Sequence, residues 1–299
     1  LLRVTKIWSE IAAHLSKSFS NSDNSMPDHQ GEADTIARSA RPLTGKLIRD
    51  HLAAIGILGG DTVLMHVALS RLGWVVGGEQ TVLQAVIDTL GDDGTLVMPG
   101  FSSQLSDPEH WNNPPVPDHW KPDIRDAMPV FNVEKTPIRG LGRTPETFRK
   151  WPGTQRSNHP RDSFLARGPL ADQLLGNHTI DDNLGPASPL GKLAAANAKV
   201  LLLGADYSSC TCFHLAEHDL HDAAPQTVRY PVRRQADITI WAEAREPQTF
   251  EHLFSKIGAV LDETPQAVTF GFGAVARCFS MQQAVGVARD WFATHSDVD

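Results

Sequence analysis

Three observations predict an α/β fold built on a central, mostly parallel sheet. Thr62–Val67, Thr95–Met98 and Lys199–Leu203 are short apolar runs bounded by turn residues, the pattern of strands buried on both faces. Between the first two runs, Val82, Leu83, Val86, Ile87 and Leu90 share one helical face that ends at Gly91. The resulting order of strand, loop, helix and strand is that of a parallel α/β layer.

Along the chain, Ile7, Trp8, Ile11, Ala12 and Leu15 fall at helical spacing, and a Ser/Asn/Asp-rich run from Ser18 to Asp28 follows. Residues 1–30 are therefore expected to form a flexible or amphipathic extension, and residues 31–299 a single large domain. A helix is expected from Leu43 to Ile55, then a turn at Gly59-Gly60-Asp61 before the first strand. Residues 101–130 are rich in proline and are expected to be a long ordered loop serving as a lid or binding wall. A helix from Thr144 to Trp151 follows, with Thr144 as its cap and Pro145 at its first position. After the third apolar strand a helix is expected from Thr211 to Leu220. The remainder reads as β-rich, with strands at Ala236–Trp241 and Ala267–Phe272 and a closing helix from Met281 to His295.

The 299 residues carry a formal charge of −8, against affinity resting on nucleic-acid phosphates; such acidity fits a cationic partner and is also the commonest way for a protein to stay soluble. No apolar run approaches the roughly 20 residues that cross a bilayer, so no membrane partner is expected. Cys210, Cys212 and Cys278 are an odd number, which points to the reducing cytoplasm rather than to a disulfide framework.

Three segments carry candidate chemistry. The first is His66 to Gly78, where a strand turns through glycines into a helix and leaves backbone N–H groups for an anionic or carbonyl ligand; a tight structural turn would use the same glycines. It is neither a Walker loop nor a dinucleotide fingerprint. The second is Arg156-Ser157-Asn158-His159-Pro160, which places an imidazole on a loop beside a proline. The third contains His214, Glu217 and His218 in a His-x-x-Glu-His pattern, which also suits a zinc hydrolase if a third ligand such as Asp222, Glu243 or Glu246 were supplied.

Taken in order, these segments resemble the aminoglycoside 3-N-acetyltransferases, over roughly Leu43 to Trp291. The resemblance implies acetyl transfer from acetyl-CoA to the 3-amino group of an aminoglycoside antibiotic, a resistance activity, on a fold distinct from the histone-type acetyltransferases. It implies that acetyl-CoA lies along Ala68, Leu69, Ser70, Arg71, Leu72, Gly73, Val75, Val76 and Gly77, and that no metal is needed. It further implies His159 as general base, with Glu217 orienting it or binding the substrate ammonium, and Asp107 and Asp206 as further grips on the polycation. A homodimer is one assembly open to such an enzyme. Ala68 stands where many relatives carry serine, and Pro186-Ala187 where many carry an acidic residue and glycine. Zinc-dependent hydrolysis and non-catalytic polycation binding are the alternative functions.

Overall fold

The computed structural model describes residues 27–112, 114–220, 225–263, 268–271 and 275–295. The amphipathic stretch expected over residues 1–20 lies outside them. Helix α1 (Pro27–Arg38) belongs to an N-terminal unit ending at Ala40, and the larger unit begins at Arg41.

In the larger unit α2 (Gly45–Ala54) is capped by Thr44, whose side chain accepts the Leu47 N–H, and leads into β1 (Thr62–Val67). Helix α3 (Gly78–Leu90) crosses to β2 (Thr95–Pro99). The chain continues through α4 (Lys121–Ala127), α5 (Arg143–Arg149), β3 (Gln155–Arg156), β4 (Phe164–Arg167), α6 (Ala171–Leu175) and α7 (Pro189–Ala195). There follow β5 (Lys199–Leu203), the short α8 (His214–Glu217), β6 (Gln226–Gln235) and β7 (Ile238–Glu246). The last elements are α9 (Phe254–Asp262), β8 (Val268–Gly271), β9 (Val275–Ser280) and α10 (Met281–Thr294).

Among the described residues seven strands form the main sheet, in the order β3-β4-β2-β1-β5-β9-β8. At its centre β2, β1 and β5 are parallel, while β4 and β9 run against them. Because β3 and β8 reverse again, five of the seven strands point one way. Successive central residues point to opposite faces, as the pleat requires. Leu64, Val97, Val200 and Leu202 pack toward α7, α9 and α10; Val63, Met65, Leu96, Met98, Leu201 and Leu203 pack toward α2, α3 and α5. Helices on both faces explain why the three central strands read as uninterrupted apolar runs.

Four expectations are corrected. Residues 101–130 are not wholly loop: α4 forms there, tolerating Pro122 in its first turn and docking on β7 through Trp241 Nε1 to Arg125 O at 3.0 Å. Helix α5 starts after Gly142, so Thr144 lies inside it and does not cap it. The Thr211–Leu220 helix is a 3₁₀ turn (Thr211–Phe213) followed by the single turn of α8. The strand expected from Ala236 starts at Ile238, because Ala236, with φ 50°, makes the two-residue turn between β6 and β7. Among the described residues no helix is long and apolar enough to cross a membrane.

Candidate active site at the carboxyl ends of β1 and β5

The crossover from β1 to β2 packs α3 on one face of the sheet, whereas Tyr207 and Phe213, in the segment that follows β5, pack on the other. The chain therefore departs in opposite directions from the neighbouring strands β1 and β5, leaving a crevice beyond their carboxyl ends, the usual ligand position in such sheets. The loops after these strands meet there. Ala68 N–H donates to Leu203 O at 3.0 Å, and Arg71 Nη1 lies 2.7 Å from Asp206 Oδ2. Gly204 permits the approach: its φ is +68°, and a Cβ on it would meet Ala68 O at 2.8 Å. Gly204→Ala is expected to lose about 1–3 kcal/mol of stability from left-handed strain alone; an unchanged denaturation midpoint would show that the loops have room to part.

All nine residues expected along the cofactor follow β1. Leu69–Arg71 forms a 3₁₀ turn whose first intrahelical bond is Arg71 N to Ala68 O, so the N–H groups of Leu69 and Ser70 precede any helical partner. Gly73 and Gly77 supply left-handed turns, with φ 84° and 75°. Part of the loop also serves the fold, since Val75 bridges Leu43, Val76 N–H donates to Leu43 O, and the side chains of Leu72 and Val75 are core.

Helix α8 follows β5 and presents His214 and Glu217 one turn apart, the spacing that brings two helical side chains together. His214 Nδ1 lies 2.7 Å from Glu217 Oε2, and Glu217 Oε1 accepts the Phe250 N–H at 2.6 Å. Both side chains are buried, 7% and 1% exposed, so the pair is little screened. With its proton on Nδ1 donated to the carboxylate, His214 keeps the Nε2 lone pair free. That nitrogen faces Glu251 Oε1 at 3.5 Å, on a side chain 66% exposed to solvent. Burial lowers the His214 pKa, but Glu217 chiefly, with Glu251 and Asp162, raises it further, and the net shift is upward. Near it His66, on β1, is held neutral by burial and by His214, its pKa down to about 3.

His159 occupies a different setting. It is fully buried, stacked on His178 with ring centroids 4.7 Å apart and edge-on to Tyr230 at 5.0 Å. Its Nδ1 accepts the N–H of Asp162 at 2.8 Å, so the ring proton sits on Nε2, which is buried without a hydrogen-bond partner. Burial drives the pKa down to about 3 despite Asp162. The ring thus has no free lone pair and little basicity. Around it His178 Nε2 donates to Asn183 O at 2.7 Å and its Nδ1 faces Ser157 Oγ at 2.9 Å. Arg161 grips both oxygens of Asp162, reaches Glu246 Oε2 at 2.7 Å, and lies over the Tyr230 ring, while Tyr230 donates to Glu246. Glu217 does not orient His159; its two oxygens hold His214 and Phe250.

The sequence model of the aminoglycoside 3-N-acetyltransferase family matches residues 64–293. The chain belongs to this family. It is 42% identical over 258 residues to a prophage-derived aminoglycoside N(3′)-acetyltransferase-like protein, YokD, of Bacillus subtilis, covering 84% of this chain and 93% of that one. The YokD crystal structure superposes with a TM-score of 0.85 at 39% identity, over 89% of this chain and 99% of YokD. Two further solved acetyltransferases are similar. AAC-IIIb, in a binary complex with CoASH, has a TM-score of 0.72 at 28% identity, over 85% of this chain and 97% of its own. AAC-VIa, bound to sisomicin, has 0.74 at 25%, over 85% and 98%.

In this acetyltransferase the other expected site carboxylates already have partners. Asp107 is 4% exposed, caps the 3₁₀ turn Pro108–His110 and lies 2.7 Å from Arg125 Nη2. Asp206 caps its own turn and holds Arg71. The zinc pattern gains no third ligand among the described residues. Of its candidates, Asp222 lies outside those residues, Glu243 pairs with Arg229, and Glu246 pairs with Arg161 and Tyr230. Cys210 and Cys212 are buried with sulfurs 3.4 Å apart, and burial holds the Cys210 thiol protonated, unsuited to act as a nucleophile. Sequence reasoning does not single out the His214–Glu217 contact, although its i, i+3 spacing is a usable signal. No sequence signal marks Glu251, which approaches the site from a distant segment.

Proposed function

We propose that this protein transfers the acetyl group of acetyl-CoA to the 3-amino group of an aminoglycoside, with His214 as the general base in place of His159. The observation that carries the reading is the 2.7 Å contact of His214 Nδ1 with Glu217, which leaves Nε2 as a basic lone pair beside the crevice. The N–H groups of Leu69 and Ser70 are suited to the thioester end of acetyl-CoA and to the charge that develops on its carbonyl oxygen. The binding of CoASH by AAC-IIIb and of sisomicin by AAC-VIa supports the same pairing of substrates here.

The ammonium first releases one proton to solvent; the free amine then attacks the acetyl carbonyl carbon, a C–N bond forms and the C–S bond breaks. One amine proton passes to His214 Nε2 and from there to the departing CoA thiolate, while Glu217 stabilises the imidazolium between the two transfers. Acetylation removes one positive charge from the antibiotic, which is the basis of a resistance role. The test is thiol release from acetyl-CoA in the presence of sisomicin or gentamicin. Release that requires the aminoglycoside is expected. Binding of the drug with no release would favour a polycation binder, and activity lost to a chelator would favour the hydrolase.

A further inference from the structure

We infer that Glu251 receives the acceptor amine, holding it against His214 Nε2 and selecting for a cationic primary amine. The inference rests on the proposed acetyl transfer and deepens it.

The geometry begins with Glu217. One of its oxygens holds His214 Nδ1 and the other holds the Phe250 N–H, so a single buried carboxylate fixes both the base and the residue preceding Glu251. On the far side of Glu251, Leu253 and Phe254 are buried, and the Phe254 ring meets the His214 ring edge-on at 5.0 Å. Glu251 itself starts the 3₁₀ turn Glu251–Leu253. Its backbone is therefore anchored on both sides while its carboxylate reaches solvent, 66% exposed and 3.5 Å from Nε2. Asp107 and Asp206, by contrast, are engaged by Arg125 and Arg71.

Two acceptors 3.5 Å apart suit one amine nitrogen, which can donate to both at ordinary hydrogen-bond lengths. A primary amine that has attacked a carbonyl carries two N–H groups. His214 Nε2 takes one proton, and Glu251 accepts a hydrogen bond from the other, which fixes rotation about the new C–N bond. Before that step the same carboxylate attracts the ammonium form from solution. A secondary amine has no second N–H to give after it loses its proton, so it forfeits this contact.

The experiment measures steady-state kinetics of the full chain with sisomicin and acetyl-CoA varied in turn, for the parent, Glu251→Gln and Glu251→Ala. Loss of a hydrogen bond to a charged group corresponds to about a 10- to 100-fold rise in KM for sisomicin in Glu251→Ala. Glu251→Gln, which keeps an acceptor oxygen but no charge, is expected to fall between. KM for acetyl-CoA is expected to stay within about twofold, a split that a merely structural role would not produce. A sisomicin KM within about twofold of the parent in Glu251→Ala would overturn the assignment. So would an equal rise in both KM values. A parent chain that releases no thiol with sisomicin would instead overturn the acetyl-transfer reading on which the assignment rests.

Discussion

His214→Ala is expected to lose on the order of 10²–10⁴ in turnover, the usual contribution of a positioned general base. The substitution leaves Glu217 buried with only the Phe250 N–H on it, so some loss of stability will accompany it. His214→Asn separates the two effects, since its amide can still donate to Glu217 but cannot take a proton. His159→Ala should behave in the opposite way. It removes a ring buried against His178 and Tyr230 and leaves the Asp162 N–H without its acceptor, a loss of about 2–5 kcal/mol in stability by cavity formation. Turnover per folded molecule is expected to remain within about tenfold of the parent, because the ring offers no lone pair to substrate. Rapid-mixing or steady-state turnover, normalised to folded protein by circular dichroism, makes the comparison. If His159→Ala abolished turnover in folded, acetyl-CoA-binding protein while His214→Asn preserved it, the base would be His159.

Arg161→Ala is expected to have the largest effect on stability. Arg161 lies between Asp162 and Glu246, and its removal leaves two buried carboxylates facing one another without a counter-charge. Breaking one partner out of a buried pair loses about 3–5 kcal/mol. Adding Asp162→Asn and Glu246→Gln to Arg161→Met should recover much of it, since a neutral set needs no counter-charge. Urea denaturation of the single and triple variants decides this; equal midpoints for Arg161→Ala and the parent would mean that the network contributes nothing.

The same region sets the response to acid. His66, His159 and His178 titrate near 3, 3 and 4 in the folded chain, against an ordinary value of 6.5, with burial the leading cause in each. Below 6.5 the unfolded chain therefore takes up protons that the folded chain refuses. Their contribution to stability is complete above that value and is lost as pH falls toward 3 or 4. His214 has the opposite sign, as its raised pKa stabilises at low pH and that stabilisation is lost as pH rises through the folded value. With His218, which burial also lowers, four groups against one predict a urea midpoint that falls steadily below neutrality; a flat midpoint down to about pH 4.5 would contradict the assignment of neutral buried imidazoles.

The strands and helices that build the centre of the sheet are legible in the sequence because each is buried on both faces or along one stripe, and burial writes itself as apolar period. Thr62–Val67 and Lys199–Leu203 begin and end where that pattern does, and Gly78–Leu90 ends at its glycine. Elements whose stability comes from a distant partner leave no such mark. Helix α4 is short, contains proline, and exists because β7 receives it; β3 and β4 pair at an edge of the sheet through residues with mixed exposure.

The chemistry divides along the same line. The candidate residues are largely legible in the sequence: the glycine turn after β1, the His214–Glu217 spacing and the imidazole beside Pro160 all stand out by type and interval, although the last lies apart from the other two. What each does is decided by tertiary structure. A histidine's role depends on which nitrogen carries its proton and on whether water reaches it, and both are set by neighbours far away in the chain. His159 meets the Asp162 N–H, Tyr230 and His178 and is sealed; His214 meets Glu217 and is left open toward Glu251. Local sequence fixes a side chain's intrinsic chemistry and its place on an element, whereas lone pairs, burial and opposing charge arise only when separate elements pack together.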